Sequence, residues 1–274
     1  MARTKKTNEQ QPTEVEILKL QAGRLTFRIC GTTPLIYSAM SLKVKQGLLY
    51  PHKKTMAERA ATVKHNPFAE FTSSVYKTDE GPTLLCFPAV AFKRGLASAA
   101  LDLGGAKKAQ IERLVWAIGE RVPIWGIPEL RMDVVRSADM NRTPDIRTRA
   151  ILRSWCAELT ISYVRPALND TVVANLLASA GLIRGIGDFR QEKGAGNYGQ
   201  FSIENSKEEI AIMDRLKKEA GRKQQERAMI EPQCFDDETR ELLLWWEKEV
   251  KRRGHSKSRD EDEGEEELNH AQAE

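Results

Sequence analysis

The chain has 274 residues, enough to bury a sizeable core in one or two domains, and its 41% apolar and 30% charged residues are those of an ordinary water-soluble protein. Its net charge of +4 hides a division: residues 260–274 hold eight acids and no Lys or Arg, so the remainder carries 43 bases against 31 acids, a net +12. No apolar run approaches the ~20 residues of a membrane span, the opening Met1-Ala-Arg-Thr-Lys-Lys6 lacks a signal-peptide core, and Cys30, Cys86, Cys156 and Cys234 lie too far apart for a CxxC framework.

Residues 1–15 are polar and expected to be disordered. Arg24–Gly31 alternates apolar and polar side chains, which predicts a half-buried strand. Thr33-Pro34 ends it. Residues 39–49 and 56–76 are predicted helical, with Pro51 and Pro67 as breaks. Leu84–Phe87 is a short apolar strand, and Pro88 opens a helix over 89–101, a place where its missing N–H costs nothing. A second helix is predicted over 107–118, strands over 122–126 and 130–137, and an alternating strand over 155–164. Asn169 or Asp170 caps a helix running to about Ala180. A glycine-rich connection follows, then a strand over 200–204. Residues 206–229 and 236–253 are predicted helical, with Gly221 weakening the first stretch and Trp245 and Trp246 packing the second back on the body.

The order strand, helix, strand, strand, helix, strand predicts an α+β fold with a ferredoxin-like (RRM-like) split βαβ core and helical insertions. Its first helix is 39–49 or 89–101, the second being favoured because it follows Phe87 directly. The chain divides into a disordered 1–15, a core domain 16–205, a helical extension 206–255 and a disordered acidic tail 256–274. A basic body with an acidic tail is expected to bind a polyanion, the tail competing for the same groove.

Catalytic and metal chemistry find little support. His52, His65, His255 and His270 are scattered and form no HxxxH or HExxH pattern. Neither GxSxG nor a Walker-type loop occurs. Gly185-x-Gly187-x-x-Arg190 begins like a dinucleotide fingerprint but follows a helix and has Arg at the third glycine position. His52, Asp139, Asp145 and Asp188 are the candidates for a nuclease, with loop or salt-bridge roles the simpler reading of each. No catalytic residue, metal or cofactor is therefore expected.

Two segments carry a stronger signal. Arg131, Arg136, Arg142, Arg147, Arg149 and Arg153 fall within 23 residues, more cations than Asp133, Asp139 and Asp145 can neutralise. An arginine-rich hairpin of this kind can project like a thumb and grip phosphates, with Arg147 and Arg149 on one face of an extended chain. The stretch Gly185–Phe201 gathers Gly185, Gly187, Gly196 and Gly199 with Phe189, Tyr198, Arg190 and Lys193. Bare backbone and free amides would cradle phosphates there while the aromatics stack bases. Lys93 and Arg94 lie near a helix start, which favours anions.

Phe87-Pro88-Ala-Val-Ala-Phe-Lys93-Arg-Gly95-Leu-Ala-Ser98 resembles the helix start of the RAMP superfamily, whose members form CRISPR effector backbones. Gly185-Ile-Gly187 with Gly194-Ala-Gly196-Asn-Tyr-Gly199 looks like the glycine-rich loop before their last strand. The arginine segment 138–153 would correspond to their thumb, and Thr32–Tyr37 fits after the first strand. The resemblance spans about 24–204. It departs from the pattern at Arg94, where glycine is usual, and at Ala89-Val90, which lacks serine. No histidine stands where a processing nuclease needs one. The chain is also similar to uncharacterised bacteriophage proteins. The resemblance implies a cytoplasmic, non-catalytic protein assembling side by side along single-stranded RNA or DNA, in phage replication, recombination or counter-defence. Its alternatives are a RAMP-type nuclease, or a decoy for CRISPR-type protein partners.

Overall fold

The computed structural model describes residues 19–50, 64–136, 142–193, 196–204 and 206–253. The chain's longest ladder joins β1 (Gln21–Gly31) to β9 (Cys156–Arg165), antiparallel from Gln21 opposite Arg165 to Cys30 opposite Cys156. Both strands alternate as their sequences predict. Ile29, Leu159 and Ile161 are fully buried on one face, while Arg24, Thr26 and Arg28 stay exposed on the other.

β10 (Phe201–Ile203) pairs with the outer edge of β1. Beyond β9 come β5 (Val115–Ala117) and β6 (Arg121–Trp125), then β4 (Leu85–Pro88) and β3 (Tyr76–Lys77). The order is β10-β1-β9-β6-β4-β3, with β5 beside β9 and every pairing antiparallel. A second sheet, β2-β8-β7, consists of β2 (Leu35–Ile36) and the hairpin of β7 (Pro128–Arg136) with β8 (Pro144–Leu152). Most of the arginine segment 138–153 is thus the strand β8.

Eight α-helices occur among the described residues. α1 (Leu42–Leu49) starts at Ser41 and buries nothing. α2 (Pro67–Ser73) corrects the expectation that Pro67 breaks a helix. Asn66 caps it, accepting from the Ala69 amide, and Pro67 is its first residue. α3 (Ala89–Ala99) starts directly after β4. α4 (Lys108–Leu114) is shorter than predicted, because Val115 and Ala117 turn into the core as strand. α5 (Asp170–Ser179), capped by Asn169, continues as a π turn to Arg184. Phe92 and Leu96 of α3 pack with Val173 and Leu177 of α5 over Ile29, Leu159 and Phe201.

The opposite face is covered by α6 (Lys207–Glu219), where Met213 and Leu216 pack on Cys30, Cys156 and Trp125. All four cysteines are free thiols. α7 (Arg222–Ile230) follows the break at Gly221. Its buried Gln225 accepts from the Leu84 and Leu85 amides (2.8 and 2.9 Å) and donates to the Ile124 and Gly126 carbonyls (2.9 and 3.0 Å). One amide thus supplies the bonds a strand would have made between the ends of β4 and β6. α8 (Asp237–Arg252) docks through Trp246, whose Nε1 donates to the His65 carbonyl and whose ring meets Phe68 edge-on. Trp245, expected to pack as well, is 63% exposed. His52, Asp139, His255, His270 and the acidic tail lie outside the described residues.

Candidate nucleic-acid interface

β4 runs straight into α3 through Pro88. No side chain caps this helix, and the Ala89 amide is held by the Glu120 carbonyl. Val90, Lys93 and Arg94, spaced i, i+3 and i+4, form one ridge on its surface. A hollow of about 340 Å³ lies on the Lys93 side, lined also by Trp116 and Glu120. A second, of about 280 Å³, lies on the Arg94 side, lined by Tyr76, Gly185, Gly187 and Arg190, and shares Val90 with the first. A third, of about 420 Å³, shares Ser38 with the second and is lined by His65, Asp145, Arg147 and Thr148. The structure therefore joins Lys93, Arg94, Gly185, Gly187, Arg190 and Arg147, from three separate stretches of sequence, along one track. Lys93, Arg94 and Arg147 have no carboxylate partner among the described residues.

The glycine segment is not simply a cradle of free amides: it doubles back on residues 32–36 and spends several of its donors there and on itself. The Ile186 amide donates to the Gly199 carbonyl, Asp188 to Ile36, Tyr198 to Phe189 and Gly199 to Pro34. Gly199 sits at φ 73°, and a Cβ there would lie 1.7 Å from the Ile186 carbonyl oxygen. Gly196 is pressed as closely on the Phe189 carbonyl. These glycines exist for backbone-on-backbone packing that holds the walls of the second hollow. Arg190 braces the same turn, bonding Glu192 through Nε and the Gly187 carbonyl through Nη1. Glu192 sits below the usual carboxylate range: burial pushes it up, but the Arg190 bond and the Arg190 and Arg184 charges outweigh that. The Lys193 side chain lies outside the described residues.

The two aromatics are also engaged. The Arg131 guanidinium lies 5.0 Å from the centroid of Tyr198 and donates to its hydroxyl at 2.7 Å. Arg131 also stacks on Phe235, over whose ring Arg153 lies at 4.2 Å. Arg149 lies 4.5 Å from the Phe189 centroid. The expected base-stacking faces of Phe189 and Tyr198 thus carry arginines.

Arg149 differs sharply from Arg147, although both project from β8. Arg147 is exposed at the rim of the third hollow. Arg149 is 4% exposed and bonds Asp133 (2.8 Å) and Asp188, so its fork holds β7 and the glycine segment together. Its placement among phosphate ligands is corrected on that ground. Arg136 and Arg142 are exposed toward the hairpin tip and line none of the three hollows, with Arg142 at φ 45°.

In the third hollow His65 Nδ1 faces Glu70 (2.7 Å) and Nε2 faces Asp145 (3.0 Å). Both ring nitrogens are thus engaged by carboxylates of the protein itself. Asp145 is held below its ordinary range by the Lys64 hydrogen bond foremost, with His65 adding to it against a burial penalty. Asp145 and Asp188, the nuclease candidates among the described residues, are therefore both committed to cations. No group of three or more His, Cys, Asp or Glu able to hold a metal occurs among the described residues, and no helix among them is long and apolar enough to cross a membrane. Trp116 was missed in the sequence. Nothing local in the sequence gave it away, because Val115–Ala117 continues the apolar pattern of the helix before it and only the pairing with β9 turns the indole away from the core.

No family model and no curated protein matches the chain. Among solved structures it is similar to Cmr6 from Pyrococcus furiosus, at 9% identity and a TM-score of 0.33, covering 67% of this chain and 98% of that one. It is also similar to a chain of the Type III-B Cmr-beta complex bound to cognate target RNA, at 12% identity and a TM-score of 0.30, covering 67% of this chain and 59% of that one. The likeness is coarse, and no function is drawn from it.

Proposed function

We propose that this chain binds single-stranded nucleic acid without cleaving it, the strand crossing the three adjoining hollows. The observation that carries this reading is the shared-wall track itself. Lys93, Arg94 and Arg147 stand along it without carboxylate partners among the described residues, on a body whose charge outside the tail is strongly positive. Phosphates meet these three side chains, and Arg190 and the glycines shape the passage between them. The succession β1, α3, β5 with β6, β9, α5, β10, and the order β10-β1-β9-β6, support reading the core as a ferredoxin-like split βαβ unit of the RAMP kind. Copies side by side along a strand belong to the same proposal.

Fluorescence anisotropy with labelled RNA and DNA strands across a salt series tests it. Each phosphate neutralised on a single strand contributes about −0.7 to the slope of log K against log salt, so three unpaired cations give roughly −2. Replacing Lys93, Arg94 and Arg147 with Ala flattens the slope while circular dichroism stays unchanged. A wild-type slope near zero overturns the proposal, and electron microscopy with a long strand reads the assembly.

A further inference from the structure

The hollow on the Lys93 side has features a phosphate channel does not need. Trp116 is 39% exposed although it sits in the middle of a paired strand. Val115 and Ala117 turn inward to the core, so alternation sends the indole outward. The backbone under it is fixed by register, Trp116 lying opposite Ser162 of β9. Glu120 lines the same hollow, is exposed, and has no cationic partner among the described residues. Its position is fixed too, since its carbonyl holds the first amide of α3 at 2.9 Å. Among the lining residues Lys93 is the single cation.

We propose, resting on the single-strand reading above, that this hollow is a nucleobase subsite that selects bases carrying an exocyclic amino group. The flat π face of Trp116 stacks one base, as aromatic platforms do on single strands. Lys93 takes an adjoining phosphate. The unpaired Glu120 carboxylate only accepts hydrogen bonds, so it repels phosphate and receives an N–H from the base edge. Cytosine offers its N4 amino group to such an acceptor. Uracil turns an oxygen to the same place, setting lone pairs against lone pairs. A hollow holding a phosphate alone would have no use for an unpaired acid, and a plain stacking platform would not discriminate between these bases.

The test compares oligocytidine with oligouridine of equal length, by anisotropy at one salt concentration, for wild type, Trp116→Ala, Trp116→Phe and Glu120→Gln. Wild type should bind oligocytidine about fivefold tighter or more. Trp116→Ala should lose about fivefold or more on oligocytidine, with Trp116→Phe recovering most of it. Abasic strands should bind wild type and Trp116→Ala alike. Glu120→Gln, whose amide can donate as well as accept, should erase the preference while keeping the affinity for oligouridine. Unchanged far-UV dichroism confirms that each variant is folded. Equal wild-type affinity for the two strands, or a Trp116→Ala variant that binds like wild type, overturns the subsite and leaves the single-strand reading standing. Absence of binding to any strand overturns both.

Discussion

Gln225→Leu should be among the costliest single changes in the chain, although residue 225 touches no candidate ligand. The side chain is fully buried and satisfies four backbone groups, the amides of Leu84 and Leu85 and the carbonyls of Ile124 and Gly126. Leucine fills much of the same space and satisfies none of them. A buried polar group left unpaired costs about 1–3 kcal/mol. Even at the low end, four such groups sum to about 4 kcal/mol, a large part of the 5–15 kcal/mol that holds a typical domain together. At roughly 2–4 °C per kcal/mol for a chain of this size, the melting temperature should fall by about 8–16 °C. Gln225→Glu should fall between the two, because one carboxylate oxygen still accepts both amides while the other is set against two carbonyls. Urea denaturation followed by circular dichroism gives the free energies, and differential scanning calorimetry the melting temperatures. The damage should reach the candidate site, since β4 positions the start of α3 and with it Lys93 and Arg94. A Gln225→Leu variant within about 1 kcal/mol of wild type would falsify the claim that this one amide ties β4 to β6.

Arg149→Ala should cost about 3 kcal/mol, because it removes the charge that bridges Asp133 and Asp188; Asp133 keeps Arg131, but Asp188 loses its cationic partner among the described residues. Arg147→Ala, exposed at the rim, should stay within about 0.5 kcal/mol, and equal urea midpoints for the two would refute the distinction. Gly199→Ala should lose about 2–3 kcal/mol, since its Cβ meets a backbone oxygen at 1.7 Å from a positive φ; thermal melts decide it, and a wild-type melting temperature would show that the turn can open. Glu204 is raised above its usual pKa, burial being the largest cause and Glu209 a further one. A raised carboxyl makes the folded state hold its proton longer than the unfolded state, so stability falls as pH rises from the unfolded value through the folded one. Glu204→Gln should therefore stabilise the protein at neutral pH and make no difference well below the unfolded value, and a neutral-pH melt no higher than wild type would contradict it.

Much of the fold could be read locally. The alternation in β1 and β9, Pro88 ahead of α3, Asn169 ahead of α5 and the break at Gly221 are signals contained within a few residues. Val115–Ala117 resisted, because three apolar residues after a helix continue its pattern until β9 supplies a partner. Pro67 depended on seeing Asn66 as a cap. The site divides in the same way. Lys93 and Arg94 were proposed from their place at a helix start and Arg147 from the run of arginines, and among the described residues none of the three has a carboxylate partner. Arg149 and Arg131 were grouped with them because their partners, Asp188 and Tyr198, are remote in sequence. The glycines were noticed for the right property and assigned the wrong use. Close backbone approach is what they provide, and the approaching backbone is the chain's own.

The position of β1 has a consequence for how the molecule acquires its structure. Its side-chain partners on β9 lie 134 and 139 residues downstream, at Thr160 and Ser162, and β10 comes later still. The central ladder therefore closes one of the largest loops the chain can form, a slow event in a topology dominated by distant contacts. During synthesis the strand waits unpaired, with Leu25, Phe27 and Ile29 ready to associate with any other open edge. Arg24, Thr26 and Arg28 alternate with them. Two like charges spaced along a solitary strand oppose its pairing with a second copy. The exposed face of β1 thus guards the nascent chain before there is any sheet for it to decorate.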